Sequence, residues 1–129
     1  MNRVLIDTNI YTNFKKDNQP VAAHLNRIEQ IMVNNIVLGE LYAGFKNGSK
    51  EKRNREELEI FLDRPRIHLI NTDEITAEFY AEIHAQLRHK GTPIPTNDMW
   101  IAATAMQYGV ALYSLDQHFT QLEGLMLFS

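Results

Sequence analysis

The chain has no cysteine, which excludes disulfides and thiolate-bound zinc alike. No apolar run approaches the roughly 20 residues needed to span a bilayer. The N-terminus leads straight into a strand-like stretch, without a basic and then apolar signal segment, so a cytoplasmic protein with no membrane partner is expected. An excess of positive charge is also missing. The formal net charge is −3, which leaves no global footprint of nucleic-acid binding. Internal repeats, low-complexity tracts and linkers are absent too. What is there is 129 residues, 44 % hydrophobic and 22 % charged. That is the size and composition of one globular domain, covering residues 1–129.

Along the chain, short apolar runs alternate with helical patterns. Val4-Leu5-Ile6 reads as a buried strand stopped by Asp7-Thr8-Asn9. A short helix is expected over Ile10–Lys15, a turn at Asp17–Pro20, and a second helix over Val21–Gln30. Ile31–Val33 reads as the next strand, with Asn34 or Asn35 capping a helix over Ile36–Lys46. A charged helix follows over Lys50–Asp63, then a strand over Arg66–Ile70. Asp73–Lys90 carries Ile75, Phe79, Ile83 and Leu87 at four-residue spacing, an amphipathic helix. Thr96 is expected to cap a helix through Tyr108 that Gly109 closes. Val110–Tyr113, a short helix over Gln117–Leu122 and a last strand over Leu125–Phe128 complete the chain. The alternation predicts an α/β fold: a parallel sheet of four to five strands with helices on both faces.

In such sheets the functional crevice lies beyond the carboxyl ends of the strands. Asp7 follows the first strand directly, and Asp116 lies three residues past the fourth. Asp98 falls in the first turn of a helix, where the dipole favours an anion. It shares a stripe with Ile101, Ala102 and Ala105. Glu40 lies beside Ile36, Val37 and Gly44, on or next to an apolar face, where an unpaired charge is expensive. Taken singly, Asp7 and Asp98 also suit helix caps, and Asp116 an ordinary loop. Taken together they imply cations. Two carboxylates about 6 Å apart repel by roughly 3 kcal/mol at an effective dielectric near 20. Carboxylate and water ligands without cysteine suit magnesium or manganese.

Two other groups bear on function. Between residues 46 and 55, five basic residues, Lys46, Lys50, Lys52, Arg53 and Arg55, stand against a single acid, Glu51. They are candidates for gripping phosphates, or simply a solvated helix start. His84 and His89, five apart, face different ways on a helix and make no zinc pair; His24, His68 and His118 are scattered.

Four segments together resemble the PIN-domain nucleases, and among them the VapC-type toxins of type II toxin–antitoxin systems. They are Leu5-Ile6-Asp7-Thr8-Asn9, Leu38-Gly39-Glu40-Leu41-Tyr42-Ala43-Gly44, Pro95 to Ala105 (with Thr96-Asn97-Asp98-Met99-Trp100), and Leu112-Tyr113-Ser114-Leu115-Asp116-Gln117-His118-Phe119. The resemblance runs in order across nearly the whole chain. It implies that Asp7, Glu40, Asp98 and Asp116 bind metal, that Thr8 supports the first carboxylate, and that Ser114 stands where threonine is more common. Asn9 matches as a capping and supporting residue, Asn97 as helix-start structure and Trp100 as a packed aromatic. It further implies Mg²⁺-dependent hydrolysis of RNA, with Mn²⁺ as a substitute, a homodimer, and a small antitoxin that blocks the site and alone contacts promoter DNA.

Three alternatives compete. An aspartyl-phosphate phosphatase would carry a second aspartate two residues after Asp7, where this chain has Asn9. A receiver domain would pair acids after the first strand and place a lysine after the last, which Leu125–Ser129 lacks. A catalytically inactive PIN-like binding module would have lost some of the four acids, and all four are present.

Overall fold

Three apolar runs, Val4–Ile6, Ile31–Val33 and Leu112–Tyr113, are buried at every residue. Successive side chains of a strand point to opposite faces, so burial at every position means both faces of the sheet are covered. In the computed structural model, which describes residues 2–129, the sheet consists of β1 (Arg3–Ile6), β2 (Gln30–Asn34), β3 (Ile67–Ile70) and β4 (Ala111–Tyr113). The order is β3-β2-β1-β4, and every pairing is parallel. The helices are α1 (Thr8–Lys15), α2 (Gln19–Arg27), α3 (Asn35–Lys46), α4 (Glu51–Leu62), α5 (Glu74–Lys90) and α6 (Thr96–Tyr108). A 3₁₀ turn at Gln117–Gln121 ends the sequence of elements. No described helix is long and apolar enough to cross a membrane.

The chain moves outward from β1 through β2 to β3, then returns through α5 and α6 to place β4 on the other side of β1. The order therefore reverses at β1, and in such sheets the functional crevice is expected beyond the carboxyl ends of the strands at the reversal, here β1 and β4. The Asp7 amide donates to the Tyr113 carbonyl at 2.9 Å, joining the two strand ends at that crevice.

Several expected boundaries shift. The second helix stops at Arg27, because Ile28 is extended and buried and Gln30 already belongs to β2. Pro95, with no side-chain cap, precedes α6, so Thr96 is its first residue and not its cap. Gly109 does close α6, with φ +63°. The expected last strand reduces to a single bridge between Leu112 and Leu127. On α5, Ile75 is 55 % exposed, and the buried stripe is Thr76, Ile83 and Leu87. At 100° per residue a four-residue spacing drifts by 40° each step, leaving Ile75 about 80° away from Ile83 whereas Thr76 lies within about 20° of it.

α3 and α6 are pinned to each other by a polar link. Asn34, fully buried, caps α3 by accepting from the Ile36 amide at 2.6 Å and donates to the Thr104 hydroxyl at 3.0 Å. Thr104 in turn donates to the Trp100 carbonyl at 2.8 Å. This link sets the helix of Glu40 against the helix of Asp98.

Candidate active site

Asp7 is the residue at which β1 stops and α1 begins. Its carboxylate accepts from the Thr8 amide at 2.8 Å, from the Ser114 hydroxyl at 2.7 Å and from the Asn9 amide group at 3.3 Å. Asn9 also donates to the Ser114 hydroxyl at 3.2 Å and accepts from the Leu115 amide at 3.1 Å. Ser114 accepts from the Asp116 amide at 3.0 Å. The loops after β1 and β4 are thus stitched together by Asn9 and Ser114, and Asp116 is brought to the crevice with them.

Glu40, half-buried on α3, is held from two sides. The Thr8 hydroxyl donates to one of its oxygens and Asn97 donates to the other at 3.3 Å. Asn97 therefore does more than start α6. Asp98, only 7 % exposed, faces His118, whose Nδ1 lies 2.9 Å from one Asp98 oxygen and 3.1 Å from an Asp116 oxygen. All four acids thus stand at one end of the sheet, carried by the β1–α1 junction, α3, α6 and the loop after β4.

Their electrostatics follow from that crowding. Burial pushes the Asp7 carboxyl from 3.8 up to about 6, against the Ser114 and Thr8 hydrogen bonds that lower it; the charges of Asp98 and Glu40 add to the rise. Burial also holds Asp98 above its ordinary value, opposed by the His118 hydrogen bond and reinforced by Asp116 and Glu40. His118 is raised in turn, chiefly by its hydrogen bond to Asp98 and also by the charges of Asp116, Asp98 and Asp7. Asp7 feels Asp98 and Glu40, and Asp98 feels Asp116 and Glu40, so the four carboxylates form one coupled set.

Among the described residues, Asp98, Asp116 and His118 each offer a ligand-type atom, all within 4.8 Å of one another. Asp7 and Glu40 stand outside this group, drawn to Ser114, Thr8 and Asn97. An acid set of this density fits a hard divalent cation, which would offset the charge that the His118 imidazole faces at Asp98 and Asp116. In the sequence His118 is one of three scattered histidines. Its signal is its place two residues after Asp116, where the 3₁₀ turn capped by Asp116 folds the ring back over the acids.

The basic run is less free than its composition suggests. Lys46 and Arg55 both pair with Glu51 at 3.1 Å, and Arg53 pairs with Glu57 at 3.5 Å. The Arg55 guanidinium also lies 4.2 Å from the centre of the Tyr42 ring. Lys50 and Lys52 are exposed. Lys46 lies six residues beyond Glu40, about 9 Å further along α3 and rotated about 120° from it. Trp100 is half-buried and stacks on Tyr80 with ring centres 4.2 Å apart.

Comparison with known proteins agrees with this architecture. Residues 4–125 match the PIN domain. A protein of Rickettsia felis described as ribonuclease VapC2 is 29 % identical over 95 % of this chain and 94 % of its own length. Toxin FitB of Neisseria gonorrhoeae is 30 % identical over 88 % of this chain and 87 % of its own. Among solved structures, the VapBC2 complex of Rickettsia felis bound to a promoter DNA fragment contains a chain that superposes with a TM-score of 0.88. That chain is 26 % identical, and the superposition covers 98 % of this chain and 97 % of that one. The order of strands, the four acids and these matches agree: the chain belongs to the PIN-domain family.

Proposed function

We propose that the chain is a divalent-metal-dependent endoribonuclease and the toxin of a toxin–antitoxin pair, with Mg²⁺ as its working ion and Mn²⁺ as an effective substitute. The observation that carries this is the convergence of Asp7, Glu40, Asp98 and Asp116, from four separate segments, into one electrostatically coupled set with Asp7 and Asp98 pushed upward. Asp7, Glu40, Asp98 and Asp116 would together hold the ion. A bound divalent cation supplies charge to the scissile phosphate and its leaving oxygen, and lowers the pKa of an attacking water.

The chain's own residues prepare that chemistry. Thr8 and Ser114 hold Asp7 by two hydrogen bonds below 3 Å. Thr8 and Asn97 aim Glu40 at the same crevice. Such fixed ligands cost little reorganisation when substrate arrives. Both Asp7 oxygens are engaged, which argues against a phosphoryl acceptor role, since an attacking carboxylate needs a free oxygen in line with phosphorus.

Partners follow from the relatives. VapBC and FitAB complexes on DNA are among the structures that resemble this fold. Here the proposal is an RNA substrate, a homodimer in the cytoplasm, and a cognate antitoxin that closes the site and alone contacts promoter DNA. The test is cleavage of single-stranded RNA by the purified chain, freed of antitoxin, with Mg²⁺, Mn²⁺ or EDTA. Cleavage with either ion, none with EDTA, and none from Asp7→Asn or Asp98→Asn is expected. Full cleavage by either variant, or by wild type in EDTA, would refute the reading.

A further inference from the structure

The N-terminal turn of α6 has two sides. Asn97 and Asp98 face the acid site, through Glu40 and His118. Thr96 and Met99 line a separate cleft of about 510 Å³, walled on the other side by Tyr80, His84 and Arg88 of α5 and by Ile94 of the loop that follows. Wall and catalytic helix are in direct contact, because the Tyr80 ring stacks on Trp100, two residues from Asp98. His84 lines the same cleft, its ring centre 6.3 Å from that of Tyr80. Both His84 and Arg88 are exposed. Among the described residues Arg88 makes no ion pair or side-chain hydrogen bond, unlike the Lys46–Arg55 run, where three of five cations are already paired.

The volume lies in the range of small-ligand sites. Its chemistry is that of single-strand recognition: a braced aromatic ring, a second ring beside it, and an unpaired guanidinium for a phosphate. We infer that this cleft binds a nucleotide of single-stranded RNA one or two positions from the scissile phosphate. Its base lies against Tyr80 and His84, and Arg88 takes a backbone phosphate. The inference rests on the RNA-cleaving reading of the acid site and adds the means by which a chain of net charge −3 holds a polyanion. Two nearby cations do not share the role equally. Lys90 is turned away to the Gln121 carbonyl at 2.7 Å, whereas Arg88 is not engaged.

The competing role for Arg88 is structural, since a cation in the last turn of α5 also suits the helix dipole. Arg88→Lys keeps that charge but not the planar fork that stacks and grips phosphate. Two measurements decide. In steady-state cleavage with Mg²⁺, Arg88→Ala should raise KM about tenfold with kcat within twofold, and His84→Ala should raise KM less. Arg88→Lys should fall between wild type and Arg88→Ala while melting like wild type. In fluorescence anisotropy with a labelled single-stranded RNA in EDTA, Arg88→Ala should weaken binding about tenfold. The salt slope should flatten by about 0.7, the loss of one phosphate contact.

An unchanged KM in an active enzyme would overturn the cleft while leaving the nuclease reading intact. If wild type cleaves no RNA, the nuclease reading falls, and anisotropy still judges the cleft: equal binding by wild type and Arg88→Ala would overturn it. A change in sedimentation of Arg88→Glu would assign the cleft to a self-interface, and that also overturns the proposal.

Discussion

The Ser114 hydroxyl donates to the Asp7 carboxylate at 2.7 Å, across the gap between the ends of β4 and β1. The same oxygen accepts from the Asp116 amide at 3.0 Å. One small side chain therefore holds two of the four acids and opposes the upward push that burial exerts on Asp7.

Ser114→Ala should accordingly raise Asp7 above about 6 and make protons stronger competitors for the metal site. At pH 7 the Mg²⁺ concentration giving half-maximal cleavage should rise about tenfold, as for other residues that support a ligand. At pH 8.5, where Asp7 is ionised in either protein, the gap should narrow. Ser114→Thr keeps the hydroxyl and should match wild type. A pH-independent loss would mean that Ser114 does not act through Asp7.

Asp7 also makes the stability of the metal-free protein depend on pH. Its proton is held more tightly folded, at about 6, than at its ordinary 3.8, so folding takes up a proton between those values. Stability is thus highest at the acid end of that window and falls as pH rises through it, by up to about 3 kcal/mol from this group. Asp7→Asn removes the effect. In urea melts with EDTA the variant should lose less stability than wild type between pH 4.5 and pH 7.5, and should be the more stable at pH 7.5 by roughly 1–3 kcal/mol. Saturating Mg²⁺ should close the gap by stabilising wild type alone. Parallel pH profiles would rule out a desolvated Asp7.

How much of this was legible in the sequence depends on whether a signal was local. Strand ends and helix starts are local, so Asp7, Asp98 and Asp116 could be placed from the apolar runs and turn residues beside them. Glu40 was legible because an acid beside Val37 and Ile36 on a helix demands a partner. His118 was missed because its ring meets Asp98, 20 residues away, through a turn whose curl no periodicity reports. Ile75 leaves the buried stripe because a four-residue repeat is not straight on a helix, which turns 40° past it at each step. The pairing of the Lys46–Arg55 run is invisible to composition, which counts charges without their partners, and Glu57, the partner of Arg53, lies outside that run.

The Asn34–Thr104 link has no chemistry of its own but fixes the geometry of the site. Asn34→Ala removes the cap of α3 and a buried hydrogen bond. It should cost about 2 kcal/mol, roughly half from each. Asn34→Ser restores the cap without reaching Thr104 and should recover about half of that stability. Since the link sets Glu40 against Asp98, kcat should stay low in Asn34→Ser even where it is fully folded. Full activity with half the stability would separate the link from the alignment of the acids.

His118 tests what moderates the acids before metal arrives. Its ring nitrogen lies 2.9 Å from Asp98 and 3.1 Å from Asp116, the position a cation between them would command. Hard divalent ions prefer oxygen, so the imidazole is a competitor for these carboxylates more than a ligand beside them. His118→Ala should therefore lower the Mg²⁺ midpoint for cleavage at pH 6.5, leave it unchanged at pH 8.5, and keep kcat within tenfold at saturating Mg²⁺. Without metal the variant should melt earlier than wild type at pH 6. His118 is raised above 6.5 in the fold, so its contribution is complete below 6.5 and disappears as pH rises through the raised value. A higher Mg²⁺ midpoint at both pH values would make His118 a ligand, and the metal would then sit between Asp98, Asp116 and the ring instead of among the four acids.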